Sequence, residues 1–238
     1  MRHVFIVLIG ALCVVSCARV SPPSAAPDEV VEPGMAWLAA ATAYTVSDGD
    51  ALLVVRAYRA GAMASLGHNH VISSDVVAGN IYVGSAYTDS WFDLIVPVSS
   101  LVVDDERIRA HYGEDFSAPV PEDAKAGTKI NMQSERVLDA TNWPLIRVRG
   151  FLADCLGAAC TAHVAIDLGG TLSRHIIPLQ MEQHDDRLLV RARFNILQSK
   201  LGLSPFSVMM GALSVADELR FDLDLVAVAV TPDDLVDQ

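Results

Sequence analysis

The chain has 238 residues and a formal net charge of -12 at pH 7, with 17 Lys and Arg against 29 Asp and Glu. The charge is spread along the chain, so there is no concentrated cationic surface of the kind that tracks nucleic-acid phosphates, and a nucleic-acid partner is excluded. Hydrophobic residues make up 52% of the sequence, enough at this length for one domain with a sizeable core.

At the N-terminus Arg2 and His3 precede an almost unbroken apolar run over 4–15. That run is too short to span a bilayer and has the length of the hydrophobic part of an export signal. It ends Val14-Val15-Ser16-Cys17, a small residue before a cysteine. Three outcomes fit: lipidation of Cys17 as the new N-terminus of a bacterial lipoprotein, ordinary cleavage near Ala18, or an uncleaved anchor. Each takes the chain out of the cytosol, and the first makes it a periplasmic protein held to the membrane. Residues 1–17 are therefore read as an export signal of lipoprotein type. The Pro/Ala/Ser-rich stretch 18–34 reads as a flexible tether, 35–231 as the folded domain and 232–238 as a C-terminal tail.

Alternation of apolar and polar residues marks the strands in chain order. Leu52 to Arg59 follows the Asp48-Gly49-Asp50 turn; Val71 to Ala78, Ser90 to Val98 and Leu101 to Val103 come next. The pattern lapses over 104–127, where acidic residues, Pro119, Pro121 and two glycines predict a long excursion with a short helix near Pro121 to Ala126. From Thr128 to Asp139 the period turns helical, ending at Asn142-Trp143-Pro144 because a residue before proline is pushed to extended geometry. Strands resume at Ile146 to Leu152, Thr161 to Leu168, Leu172 to Glu182 and Leu188 to Ile196, joined by turns at 155–160, Gly169-Gly170 and Asp185-Asp186. After the turn formers Gly202, Ser204-Pro205 and Gly211 the last strand runs from Leu213 to Val230. Its clearest part alternates Leu219, Phe221, Leu223, Leu225, Ala227 and Ala229 with Arg220, Asp222 and Asp224.

About eight strands, a helical insertion near the middle and no βαβ rhythm predict an all-β fold, an eight-stranded antiparallel barrel of the lipocalin-like type. Closure removes the edges that such a meander would expose. Cys155 and Cys160 flank one hairpin turn, and an exported compartment permits a bond between them. The alternative, a redox or metal pair, lacks the Cys-x-x-Cys spacing and a second cysteine pair.

Three stretches carry a resemblance to a known family. They are Leu66-Gly67-His68-Asn69-His70-Val71; Asn131-Met132-Gln133-Ser134 through Asn142-Trp143-Pro144; and Phe194-Asn195 with 198–207, Gly211-Ala212-Leu213 and Ala216-Asp217-Glu218-Leu219. Together they resemble the YceI-like family of exported lipocalin-like barrels associated with polyisoprenoids and related lipids, over about Thr45 to Ala229. Ser74 to Gly79 and Ser134 to Asp139 depart from the family pattern, which with the Gly-His-Asn-His segment describes a divergent branch. The resemblance implies a hollow barrel that holds an amphipathic lipid or isoprenoid without catalysis.

The side chains for such a lining are Phe92, Leu94, Val96, Ile146, Val148, Leu152, Val164, Ile166, Val190, Phe194, Phe221, Leu223 and Leu225. The alternative is that they pack against one another and leave no space. Met132, Met209 and Met210 suit an adaptable mouth or act as plugs. His68 and His70, two apart on a strand, share a face and suit structural hydrogen bonding at the mouth, head-group contact or a metal. A metal needs a third ligand, for which His111, His163, His175 and His184 are available. Arg56, on the side of Leu52, Val54 and Tyr58, is the candidate interior or rim cation. Arg147, Arg149, Arg191 and Arg193 fall on the outer side. No hydrolase, Walker or Rossmann signature is present. The function expected is binding or transport of an amphipathic lipid or isoprenoid in the cell envelope. A metal-dependent protein using His68 and His70, or a structural interaction domain with a packed barrel, is the alternative. Whether two copies pair is left open by the sequence.

Overall fold

The structure is a computed structural model and describes residues 30, 32–47 and 49–230. The expected export signal with Cys17, most of the tether and the C-terminal tail lie outside the described residues. The strands are β1 (Thr42–Val46), β2 (Ala51–Ala60), β3 (His70–Ser74), β4 (Ala78–Val83), β5 (Ser90–Pro97), β6 (Val102–Val103), β7 (Leu145–Leu156), β8 (Ala159–Leu168), β9 (Thr171–His184), β10 (Arg187–Leu197), β11 (Ser207–Val208) and β12 (Leu213–Val230). The helices are α1 (Met35–Ala40), α2 (Glu106–Arg109) and α3 (Glu122–Gln133).

Pairing reduces these pieces to eight ribbons. β1 and β2 lie end to end along β12, with Ala43 opposite Val230 and Ala60 opposite Ser214. β4 and β3 pair with β1 and β2 in the same way, and β5 and β6 pair with β4 and β3. With β7, β8, β9, β10 and β12 they form an antiparallel up-and-down meander that closes where β12 meets β1 and β2. This is the eight-stranded barrel with a helical insertion that the alternation predicts.

Three local expectations shift. Thr42–Val46 and Ala78–Val83 are additional strands, the second carrying Gly79. A Cβ at Gly79 would lie 2.9 Å from Leu94 Cα and closer still to Asp93 O, so glycine there permits the close approach of β5. The two expected helical segments are one helix, α3, which stops at Gln133. Ser134 turns extended, and its N–H and hydroxyl both donate to Asn131 O, at 3.3 and 2.7 Å.

The two ends of the barrel differ. One carries tight connections: 83–90, the Cys155–Cys160 hairpin and Asp185-Asp186. Cys155 and Cys160 face each other in register and are joined by a disulfide, with S–S 2.08 Å. The other end gathers the long connections, 60–70, 98–145 and 197–213, together with the short Gly169-Gly170 turn. At that wide end β9 pairs with β8 throughout but with β10 only from Leu179 onward. Pro178, which has no N–H to donate, stands where the second pairing stops.

Apolar residues form two clusters. The main one lies inside the barrel and includes Tyr44, Val46, Ile81, Leu152, Ala162, Leu188 and Leu225. The second lies on the outer face of β2 and β3: Val54 and Val71 are covered by Phe116, Ile108 and Tyr112 of the excursion.

Candidate functional site

The barrel encloses a cavity of about 440 Å³, within the range of small-molecule pockets. Register explains its lining. Leu94, Val148 and Ile166 stand side by side on β5, β7 and β8; Val190 and Leu225 do so on β10 and β12. Alternate residues on each ribbon therefore turn inward together. Phe194 and Phe221, opposite each other in register, stack with ring centroids 5.0 Å apart. Phe92 lies opposite Gly150, and its ring fills the space a side chain at Gly150 would take. Leu152, Val164, Leu101 and Leu138 line the cavity too, as do Val96 and Ile146, which face each other in register. The thirteen apolar residues named from the sequence lie around this cavity, and so do His68 and His70.

Arg56 does not. The interior face of β2 is Leu53, Val55, Ala57 and Arg59, because Val55 is opposite Phe221 and Leu53 opposite Leu223. Arg56 is consequently on the outer face, paired to Asp222 at 2.9 Å and lying over the Tyr112 ring at 4.8 Å. The cation at the rim is Arg59, whose guanidinium donates to Gly67 O at 2.8 Å. Its signal in sequence was its place on the same alternate positions as Leu53 and Val55.

The polar lining gathers at the wide end: Arg59, His68, His70, Thr128, Asn131, Gln198 and Ser214, with Ser90 apart from them. Gln198 is turned aside, its amide donating to Ala216 O at 2.7 Å. The best-built group centres on Asp104, which is fully buried and sits in a left-handed backbone conformation at φ 55°. Its Oδ1 accepts from Val71 N–H at 2.8 Å and from Arg109 at 2.7 Å, and its Oδ2 is 2.6 Å from His70 Nδ1. Burial pushes the carboxyl pKa up. Hydrogen bonds from His70 and Val71, with the charges of His70 and Arg109, outweigh that and hold it below the usual carboxylate value. An ionised carboxylate only accepts, so His70 Nδ1 carries the proton. His70 Nε2 then faces Thr128 Oγ1 of α3 at 3.3 Å. Arg109 also donates to Asn69 O and Ala118 O, tying the excursion to the start of β3. Asp104 and Arg109 are the residues sequence reasoning missed, for they fall in a stretch whose charges look like a solvated loop.

His68 and His70 do share a neighbourhood, with ring centroids 6.2 Å apart, but no third ligand joins them. Among the described residues no group of three His, Cys, Asp or Glu is placed to hold a metal ion, and His70 Nδ1 is committed to Asp104. His163 lies against Phe151, His175 bonds Ser173 on β9, and His184 pairs with Glu182. Met132 lines the cavity, whereas Met209 and Met210 stand in solvent outside it. Of the outward arginines, Arg147 pairs with Asp93, Arg191 with Asp224 and Arg193 with Asp222. Ser199 is held by Asp217, with 2.8 Å from its N–H and 2.7 Å from its hydroxyl.

Fold and cavity together define a closed antiparallel barrel with an apolar interior and a polar group at one end. The barrel is similar to the crystal structure of Burkholderia cenocepacia BcnA, with a TM-score of 0.57 and 12% identity, covering 77% of this chain and 99% of that chain. A mutant CJ YCEI protein with a monobromobimane guest gives a TM-score of 0.46 at 8% identity, over 65% of this chain and 81% of that one. The likeness to BcnA is one of fold. No protein-family model matches the chain, and no curated protein matches its sequence.

Proposed function

We propose that this protein binds an amphipathic lipid or isoprenoid inside the barrel, without catalysing a reaction on it, in the cell envelope. The observation that carries the reading is the cavity of about 440 Å³ walled by inward apolar side chains from all eight ribbons. Burial of an apolar chain there supplies affinity, and polar contacts at the wide end select the other part of the ligand. In this reading His70, oriented by Asp104, and Thr128 make that contact. A barrel serving only as a rigid interaction domain would not need an open interior. Export is supported by the Cys155–Cys160 disulfide, a bond that persists in oxidising compartments, and by the sequence of residues 1–17. In this reading a lipid on Cys17 holds the barrel to the periplasmic face of a membrane.

The test is native mass spectrometry of the protein purified from an exported source, followed by organic extraction and titration with geranylgeraniol. A reproducible extractable lipid, or saturable uptake of one prenol per barrel, is the expected result. A protein that arrives empty and refuses the added prenol refutes the reading.

A further inference from the structure

The large apolar side chains that stand exposed are unevenly distributed. Most of those among the described residues belong to connections at the wide end. Leu66 is 64% exposed in the 60–70 connection, Trp143 45% in the 98–145 connection, and Met209 59% in the 197–213 connection. Met210 is wholly exposed beside it. Met209 and Met210 both have left-handed backbone, φ 53° and 57°, a conformation that costs an unbranched L-residue about 1 kcal/mol or more. The Met210 side chain, wholly exposed, makes no packing that compensates that cost.

These connections touch one another. Met63 N–H donates to Ala212 O at 2.8 Å, which joins the 60–70 and 197–213 segments. Arg136 lies over the Phe206 ring at 5.4 Å. The Trp143 ring rests on Gly170, where any side chain would collide with it, and Gly202 sits against Thr171. The exposed apolar groups are thus parts of one rim, and the rim is continuous with the cavity, whose lining includes Phe206, Val208 and Leu213. An apolar rim of this kind marks an interaction surface.

We infer that this rim docks onto a lipid bilayer, so that an apolar ligand passes between membrane and cavity without crossing water. The identity of the cargo rests on the function proposed above; the docking surface does not. The chain outside the described residues fits the same occupant. Between Cys17 and Val30 it reaches about 45 Å at full extension, whereas a ribbon as long as β8 measures about 33 Å. The chain joins the barrel at the hairpin end, where Trp37 Nε1 donates to Asp89 Oδ1 at 2.8 Å. A barrel tethered at Cys17 can therefore turn its wide end onto the membrane that holds it. The connections at this end carry nine Asp and Glu against six Lys and Arg, no basic excess to attract anionic lipid, so apolar insertion rather than charge drives the docking and uncharged lipid suffices.

The experiment uses the exported protein carrying Cys17→Ser, so that no acyl chain supplies an anchor, floated with phosphatidylcholine vesicles. Brominated acyl chains report the depth of Trp143. The protein is expected to float, largely independent of salt, with tryptophan quenching that Trp143→Phe removes. Leu66→Asp with Met210→Asp is expected to lower the bound fraction at least ~10-fold and to leave the melting temperature unchanged, since both side chains are exposed. Equal flotation of wild type and variant, or no flotation by a protein that still takes up geranylgeraniol, overturns the inference. So does a dimer in sedimentation that the same variant dissolves, for the rim would then face a second copy. Flotation without any prenol uptake leaves the rim standing and refutes the cavity reading instead.

Discussion

Val148→Trp separates a hollow barrel from a packed one. Val148 lies between Leu94 and Ile166 in register and borders the cavity, so the part of its surface that protein does not cover faces the interior space. The substitution adds about seven heavy atoms, and at about 30 Å³ per water-sized group the cavity of about 440 Å³ accommodates them. The fold is therefore expected to survive, with a stability change below the ~1–3 kcal/mol typical of forcing bulk into a filled core. Ligand binding is not. Each methylene-sized group displaced from the cavity forfeits ~0.8 kcal/mol, so losing about seven removes as much as ~6 kcal/mol. Allowing for partial rearrangement of the chain, a loss of at least ~100-fold in geranylgeraniol affinity is expected. Urea denaturation gives the stability and titration followed by native mass spectrometry gives the affinity. A variant that unfolds or loses several kcal/mol refutes the open interior. Unchanged affinity in a well-folded variant refutes the cavity as the binding place.

Asp104→Asn leaves Arg109, itself 6% exposed, without its carboxylate, and removal of one partner from a buried ion pair costs ~3–5 kcal/mol; chemical denaturation measures it. Because the folded pKa of Asp104 lies below its unfolded value of about 3.9, its contribution is fully present above that pH and is lost as pH falls through the folded value. The acid limb of the stability curve should accordingly shrink in Asp104→Asn. Burial lowers the pKa of His175, so stability is complete above its unfolded value near 6.5 and declines as pH falls through the folded one; His175→Gln should flatten that part of the profile. Reduction of the Cys155–Cys160 bond, which closes a loop of sequence separation 5, is expected to cost ~2 kcal/mol from chain entropy, and the melting temperature with and without reductant reads it. A Cys155→Ala, Cys160→Ala protein that responds to reductant as wild type does would show that the effect lies elsewhere.

Residues that alternate along a strand with one wet side carry their own assignment, and here that covers β7, β8, β10 and the Leu219–Ala229 part of β12. There a charged neighbour at every second position, such as Arg147, Arg191, Asp222 or Asp224, names the outer face, so the inward set could be read directly. The disulfide was equally legible, since two cysteines across a short hairpin have nowhere else to go. β2 is different because both of its faces are buried. Leu52 and Val54 are apolar, and so are Leu53 and Val55; the first pair meets the covering excursion and the second meets the cavity. Alternation cannot rank two apolar faces, so the sequence alone makes Arg56 as good a candidate for the interior as Arg59. Pairing with Phe221 and Leu223 on β12, more than 160 residues later in the chain, decides the matter.

The same distance in sequence hid Asp104. Its significance comes from His70, 34 residues earlier, and Arg109, which meet it only once β3, β6 and the excursion have packed together. Local pattern thus determined which elements form and, where one face is solvated, which way they point. Long-range pairing decided which buried face looks inward, which charges neutralise one another, and that the inward side chains leave a space between them. The size of that space depends on barrel closure and on the summed bulk of side chains from every ribbon, which no single segment encodes.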